Sequence, residues 1–277
     1  MVVEAVPQWA LALLAFAVAG VGTLGGLGGA ILLVPGLVLA GLEPSAAAPL
    51  GLLTVASVSL SAGAEQLSSG LVNQRLGVST EVVAAAGAIA GAVLAGLVSA
   101  AVLVWVLAGT ALLAAVLGSG RRGLRNRPQP PFVAESAGEW PGSLGGAYLG
   151  SGGVIPYEVR RLPAGLALLA GTGFLAGLTG AGGGVLKTPV MSEVLHVPVK
   201  VAAATSTFTV GLTAVAALMV HGVQGGIDLS AGGAVVAGAT LGGRVGAALQ
   251  DRTPPVLTRR ILALLLVAVS ALLVVRT

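Results

Sequence analysis

The chain has 277 residues, of which 56% are hydrophobic and 9% charged, and a mean hydropathy of +1.00. A soluble globular domain carries about 25% charged residues, so that class is excluded, and the absence of cysteine excludes thiol catalysis, cysteine-held metals and disulfides. The net charge of +4 comes largely from arginines that flank apolar segments, a mark of membrane topology rather than of a nucleic-acid partner.

Apolar segments are expected, in chain order, at 9–24, 28–42, 46–64, 79–97 and 98–118. A hydrophilic stretch, 119–161, follows, and then come segments at 162–179, 183–195, 200–222, 229–249 and 259–276. A bilayer core of about 30 Å needs roughly 20 helical residues. Ala, Leu, Val and Gly run on here without the alternation of a spanning strand, so the backbone must close its hydrogen bonds as helices. The expected fold is an all-α polytopic protein of the cytoplasmic membrane with about 8 to 10 spanning segments. The opening "MVVEAVPQWA" lacks the basic start of a cleavable signal, and the first helix is expected to be retained. "SGRRGLRNRPQPP" opens the long interruption with prolines and arginines that favour an exposed linker. The chain thus divides into a first membrane repeat, 1–118, a cytoplasmic linker, 119–161, and a second repeat, 162–277.

The halves repeat each other. Gly26, Gly28, Gly29, Leu32, Pro35 and Pro44 recur 154 residues later as Gly180, Gly182, Gly183, Leu186, Pro189 and Pro198, and Gly70 and Asn73 recur after 155 as Gly225 and Asp228. Duplication of this kind marks transporter folds. Five segments per half would invert the second copy. With the linker inside, ten spans place Arg75, Arg121, Arg122, Arg125, Arg127, Arg160, Arg161, Lys200, Arg252, Arg259 and Arg260 in the cytoplasm and only Arg276 outside. If the short segments 28–42 and 183–195 instead dip in and return, Lys200, Arg252, Arg259 and Arg260 move outside, against the basic-inside preference. Inverted repeats with external termini follow.

Both copies interrupt a hydrophobic run with glycines, at "GLGGAILLVP" and "GAGGGVLKTP". Each glycine costs a helix about 1 kcal/mol relative to alanine, and opened backbone in lipid costs more unless it is buried in protein or lines a wet cavity. A helix restarting after such a break offers free N–H groups and a positive dipole end to an anion, and two such ends in inverted repeats can converge on one site. Gly87, Gly91, Gly238 and Gly242, four apart within each half, suit helix packing instead.

These two motifs, with "AAATSTFTV" at 202–210 and "GGRVGAAL" at 242–249, resemble the sulfite exporter TauE/SafE family of membrane permeases over nearly the whole chain outside the linker. The resemblance implies a carrier of small anions, notably sulfite, organosulfonates and related sulfur compounds. The first half departs from the second: Leu50, Gly51 and Leu52 stand where Thr205, Ser206 and Thr207 recur.

The candidate substrate-binding set is Gly26, Gly28, Gly29, Gly180, Gly182, Gly183, Gly184, Lys187, Thr205, Ser206 and Thr207. A lysine at 187 inside an apolar run marks a site or snorkels to the interface. The hydroxyls at 205–207 can donate to sulfonate oxygens or bond back to the preceding turn. Arg244 is expected to snorkel, with anion recruitment second. His196 and His221 end segments without a ligand-spaced partner, so no metal or other cofactor is expected. Asn73 and Asp228 suit helix caps, and Glu65 and Glu193 suit solvated ends. No nucleophile with a base and no phosphate-binding loop occurs, so no enzyme is expected.

The resulting expectation is a secondary permease for a small oxyanion, working by alternating access, with the anionic solute and the lipid bilayer as its partners and assembly of identical copies left open. Its rivals are a cation-coupled carrier of a carboxylate or other small solute, and a non-transporting membrane scaffold subunit.

Overall fold

A computed structural model describes residues 7–24, 28–119, 137–150, 153–224, 227–250 and 255–276. Gly26, Gly225, Arg121, Arg122, Arg125, Arg127 and Arg252 lie outside the described residues. The first half forms α1 (Gln8–Leu24), α2 (Ala30–Leu39), α3 (Pro44–Ser68), α4 (Gln74–Ala95) and α5 (Ala100–Ser119). The second forms α6 (Leu162–Thr179), α7 (Gly184–Pro189) running into a π turn (Val190–Val194), α8 (Val199–Val223), α9 (Leu229–Gln250) and α10 (Pro255–Arg276). Each helix of the second half begins 154 or 155 residues after its counterpart, so the repeat in sequence is a repeat of structure.

Six helices, α3, α4, α5, α6, α8 and α9, are long and apolar enough to cross a bilayer. α2 has ten residues, about 15 Å at 1.5 Å per residue, and covers half the depth. α7 stops at Pro189, whose ring removes an amide donor from the helix. The π turn behind it re-forms the bonding with a longer loop, Leu195 N–H donating to Val190 C=O at 3.2 Å, a common device where a helix is perturbed.

Local chemistry sets the helix starts. Asn73 caps α4, its side-chain oxygen accepting from Leu76 N at 2.9 Å, and Asp228 caps α9, accepting from Ser230 N at 2.9 Å and Ala231 N at 3.1 Å. Both caps meet the sequence expectation, each satisfying amides that the first turn leaves open.

Helix directions follow from residue-level contacts. Gly238 and Gly242 of α9 lie against the carbonyls of Ala12 and Phe16 of α1, and Gly232 and Gly243 meet Leu53 and Val58 of α3, so α1, α3 and α9 run parallel. Gly87 and Gly91 of α4 lie against the carbonyls of Ala170 and Phe174 of α6. Gly77 lies against Thr205 and Thr209 of α8, while Gly96, just past the end of α4, lies against Gln224, just past the end of α8, so α4, α6 and α8 form a second parallel set. α3 and α8 cross antiparallel: Gly211 of α8 lies against Ser59 and Ala56 of α3, whereas the earlier Phe208 lies against the later Gly63. Ser59 Oγ donates to Thr207 C=O at 2.7 Å and accepts from Gly211 N at 3.1 Å. Every helix compared thus runs opposite to its counterpart. Since α3 is parallel to α1, the chain returns to its starting face between them. An arrangement in which segment 28–42 dips and goes back would make them antiparallel.

The four packing glycines act as expected. A Cβ at Gly87, Gly91, Gly238 or Gly242 would overlap a carbonyl of the neighbouring helix, so glycine there lets two backbones meet. Leu60, Leu212 and Leu264 are exposed, as a lipid-facing surface requires.

The linker differs from expectation. Part of it folds as a three-stranded antiparallel sheet, β1 (Gly138–Glu139), β2 (Gly146–Gly150) and β3 (Gly153–Tyr157), with Tyr148 opposite Ile155. It docks on the start of α4. Arg75 Nη1 donates to Trp140 C=O at 2.9 Å, Gln74 N donates to the Glu139 carboxylate, and Tyr157 packs with Leu76, Leu169 and Leu195. Glu139 thereby sets a negative charge at a helix N-terminus, where the dipole favours it. Composition alone gave no signal for these short strands, because their pairing depends on the helix end beneath them.

Candidate functional site

The two helix breaks meet beside the middle of α3. Gly28 and Gly29 turn the chain with φ of 78° and 73°, and Gly180 and Gly182 do so with 69° and 82°, left-handed values that a Cβ disfavours. A Cβ placed on Gly182 would lie 2.6 Å from Val55 Cγ2 and 3.7 Å from the Cβ of Ala30, the first residue of α2. Val55 is near the middle of the 25-residue α3. Gly29 C=O accepts from Leu32 N at 3.0 Å and Leu33 N at 3.2 Å, and Ala30 N donates to Gly28 C=O at 2.8 Å. Gly183 C=O accepts from Leu186 N at 3.2 Å and Lys187 N at 2.8 Å, so each restarting helix bonds part of its first turn to the carbonyls of its own glycine break. Ala30, Gly183 and Gly184 are buried, so the meeting point is closed in this conformation.

One polar face of α8 runs past this point. Thr205, Ser206, Thr209 and Thr213, spaced at one and two turns, are each 2% exposed or less. Ser206 Oγ donates to Gly184 C=O at 3.4 Å. Thr209 Oγ1 accepts from Lys187 Nζ at 2.7 Å. Lys187 Nζ also donates to Glu81 Oε2, and Thr213 Oγ1 donates to Glu81 Oε1. The side chains of Lys187 and Glu81 are 1% and 6% exposed. An ion pair therefore joins α7, α4 and the centre of α8, at a depth where a lone charge is costly. Lys187 does not snorkel.

Residues 11–273 match the family described as sulfite exporter TauE/SafE. The chain belongs to that family. TauE/SafE proteins are membrane transporters rather than enzymes, and the chain is accordingly a multi-pass membrane protein. It is similar to the "Probable membrane transporter protein YunE" of Bacillus subtilis (strain 168), with 37% identity over 105 residues, covering 36% of this chain and 38% of that protein. No solved structure matches the chain.

Within this TauE/SafE fold the candidates divide. Gly28, Gly29, Gly182, Gly183 and Gly184 surround the meeting breaks, and Gly180 packs its backbone on Ala48 of α3. Thr205 is turned to α4, its Oγ1 accepting from Asn73 N at 3.0 Å. Thr207 is half-buried and contributes its carbonyl to Ser59. The three consecutive residues 205–207 thus face different neighbours, as successive positions on a helix must. Arg244, Glu65 and Glu193 are exposed, in keeping with solvated positions. His221 is 4% exposed, in the last turn of α8, and its Nε2 has no hydrogen-bond partner.

Glu81 was not among the expected residues. The expected segment 79–97 opens only two residues before it, whereas α4 starts five residues earlier than that segment, at Gln74. The available signal was charge balance: one acid inside one apolar run and one lysine inside another. Thr209 and Thr213, one and two turns beyond Thr205, carried the face. A cleft of about 370 Å³ lies at the far end of α2, walled by Val38, Leu42 and Val104 with Glu43 at its rim, away from the breaks.

Proposed function

We propose that the protein is a secondary permease for a small anion, sulfite, an organosulfonate or a related sulfur oxyanion, working by alternating access of two inverted repeats about a mid-depth site. The observation that carries this reading is the meeting of two interrupted helices, related by the repeat, at the centre of the α3–α8 crossing. Helix starts favour negative charge, and Lys187 adds a full positive charge one turn from the second start. Membership of the TauE/SafE family supports transport, and the family's description supports a sulfur oxyanion.

The opposite running directions of corresponding helices support inversion, and the arginine distribution supports a cytoplasmic linker with external termini. Burial of the breaks suits a closed state of a carrier that opens to each side in turn. Gly28, Gly29, Gly182, Gly183, Gly184 and Lys187 would face the anion, with Gly26 and Gly180 shaping the turns and Thr205, Ser206 and Thr207 lining the approach after a change of partners.

The test is flux of sulfite and of methanesulfonate into liposomes holding the purified protein. Flux above protein-free liposomes is expected, and Lys187→Ala should reduce it at least tenfold. Absence of flux for every small anion tried would refute the permease reading, and full flux in Lys187→Ala would remove that residue from the site.

A further inference from the structure

The buried pair gives the proposed permease a specific stoichiometry. Lys187 has one ionic partner, the Glu81 carboxylate, and the cluster's charges sum to zero. Thr209 and Thr213 of α8 complete it. α6, the other helix packed along α4, carries no Asp, Glu, Lys, Arg or His between Leu162 and Thr179. On α8 the remaining titratable groups are Lys200, exposed in the first turn, and His221, two turns past Thr213 and about 12 Å along the axis at 1.5 Å per residue. On α4 itself Arg75 is exposed at the start. Among the described residues, then, Glu81 is the one carboxylate that meets Lys187.

We propose that Glu81 and the transported anion compete for the Lys187 ammonium, and that the protein carries one monovalent anion with one proton, the proton residing on Glu81. This rests on the permease reading above. The step balances: a proton from water adds to the Glu81 carboxylate, the ammonium–carboxylate contact breaks, and the ammonium takes the anion while Thr213 still bonds the neutral carboxyl. The empty cluster holds one positive and one negative charge. The loaded cluster holds the Lys187 charge, a neutral acid and the anion, again summing to zero. Both states can pass through the closed conformation without an unpaired buried charge. A cluster carrying only the proton or only the anion has a net charge of one sign, and burying that charge is strongly unfavourable. Half-loaded carriers are therefore held back, which couples the two ions. A divalent anion would leave the loaded cluster negative, so the preferred substrate class is monovalent: an organosulfonate or hydrogensulfite.

The experiment uses liposomes with internal pyranine and external methanesulfonate, which keeps its single charge through the neutral range. Wild-type protein is expected to move one proton with each anion, and to show the same initial rate when the membrane potential is set with potassium and valinomycin. Glu81→Gln, which keeps an acceptor and a donor toward Thr213 but cannot titrate, is expected to lose net proton-driven uptake by about tenfold or more while still exchanging internal for external methanesulfonate. A wild-type rate that follows voltage, anion flux without protons, or intact proton coupling in Glu81→Gln would overturn the proposal. The two wild-type measurements decide it even if Glu81→Gln does not fold. Anion flux that is uncoupled refutes only this inference, whereas the absence of any anion flux refutes the permease reading with it.

Discussion

Lys187→Met should unmask the energetics of the buried pair. The side chain is 1% exposed and donates to Glu81 and Thr209, so removing its charge leaves a carboxylate in a protein interior with only Thr213 to hold it. Breaking a buried pair from one side costs about 3–5 kcal/mol. At about 2–4 °C per kcal/mol for a large domain, the midpoint in detergent should fall by about 6–20 °C. Replacing both partners, Lys187→Met with Glu81→Met, removes both charges together, and such exchanges are often neutral or stabilising. Thr209 and Thr213 can then bond back to the carbonyls one turn earlier. The double variant should therefore melt within about 3 °C of wild type while transporting no anion. The assay is a thermal-shift series on the four proteins of this cycle. Independent, additive losses for the two single changes, or no loss for Lys187→Met, would refute the reasoning.

Gly91→Ala places a methyl on the Phe174 carbonyl of α6 and should destabilise the protein by about 1–3 kcal/mol, whereas Gly171→Ala, with nothing within 4 Å, should be neutral or gain about 1 kcal/mol from helix propensity; thermal shift separates them. Asn73→Ala removes the α4 cap and the 2.9 Å bonds to Leu144 C=O and Tyr157 OH, and should speed proteolysis within 138–157 before the membrane helices are cut. Tyr157 is pushed up to about 12 from 10.0, chiefly by burial, with the Glu139 charge adding to the rise and the Asn73 hydrogen bond opposing it. Its contribution to sheet docking is full below pH 10.0 and is lost as the pH climbs toward about 12, which tyrosinate absorbance in wild type and Tyr157→Phe should report. Because the chain has no cysteine, single cysteines at Gly41 and Gly70, beyond opposite ends of α3, should label from opposite faces of the membrane; labelling from one face would overturn the topology.

Much of this fold is legible from hydropathy, since lipid forces each apolar run to close its own hydrogen bonds. Segment 162–179 coincides with α6, and most other ends fall within a few residues of the helices. The glycine breaks and their duplication also stand in the sequence, because turning a chain inside a membrane requires residues that tolerate positive φ. What hydropathy could not reach was pairing. The sheet between the halves forms against the α4 start, and Glu81 meets Lys187 across 106 residues. Both depend on which helices become neighbours, and local composition does not encode that.

The pair also breaks the repeat, and the break carries mechanistic weight. At the 154- and 155-residue offsets, Lys187 corresponds to Leu33, Glu81 to Val236, Thr213 to Val58 and Thr209 to Thr54. Leu33 and Val58 are 0% and 2% exposed, whereas Val236 is 37% exposed, so the lysine and threonine counterparts are buried hydrocarbon and the acid's counterpart lies at the surface of the helix bundle. A second pair would add two charges to apolar helices, and each would require its own satisfied partner through every conformational change. One pair beside two symmetric helix starts leaves a single charged focus, served from either face by the same lysine. Installing the repeat-related pair as well, Leu33→Lys with Val236→Glu, should therefore lower stability without raising anion flux. A gain in flux with an unchanged midpoint would mean that the two halves bind anions independently and that the asymmetry is incidental.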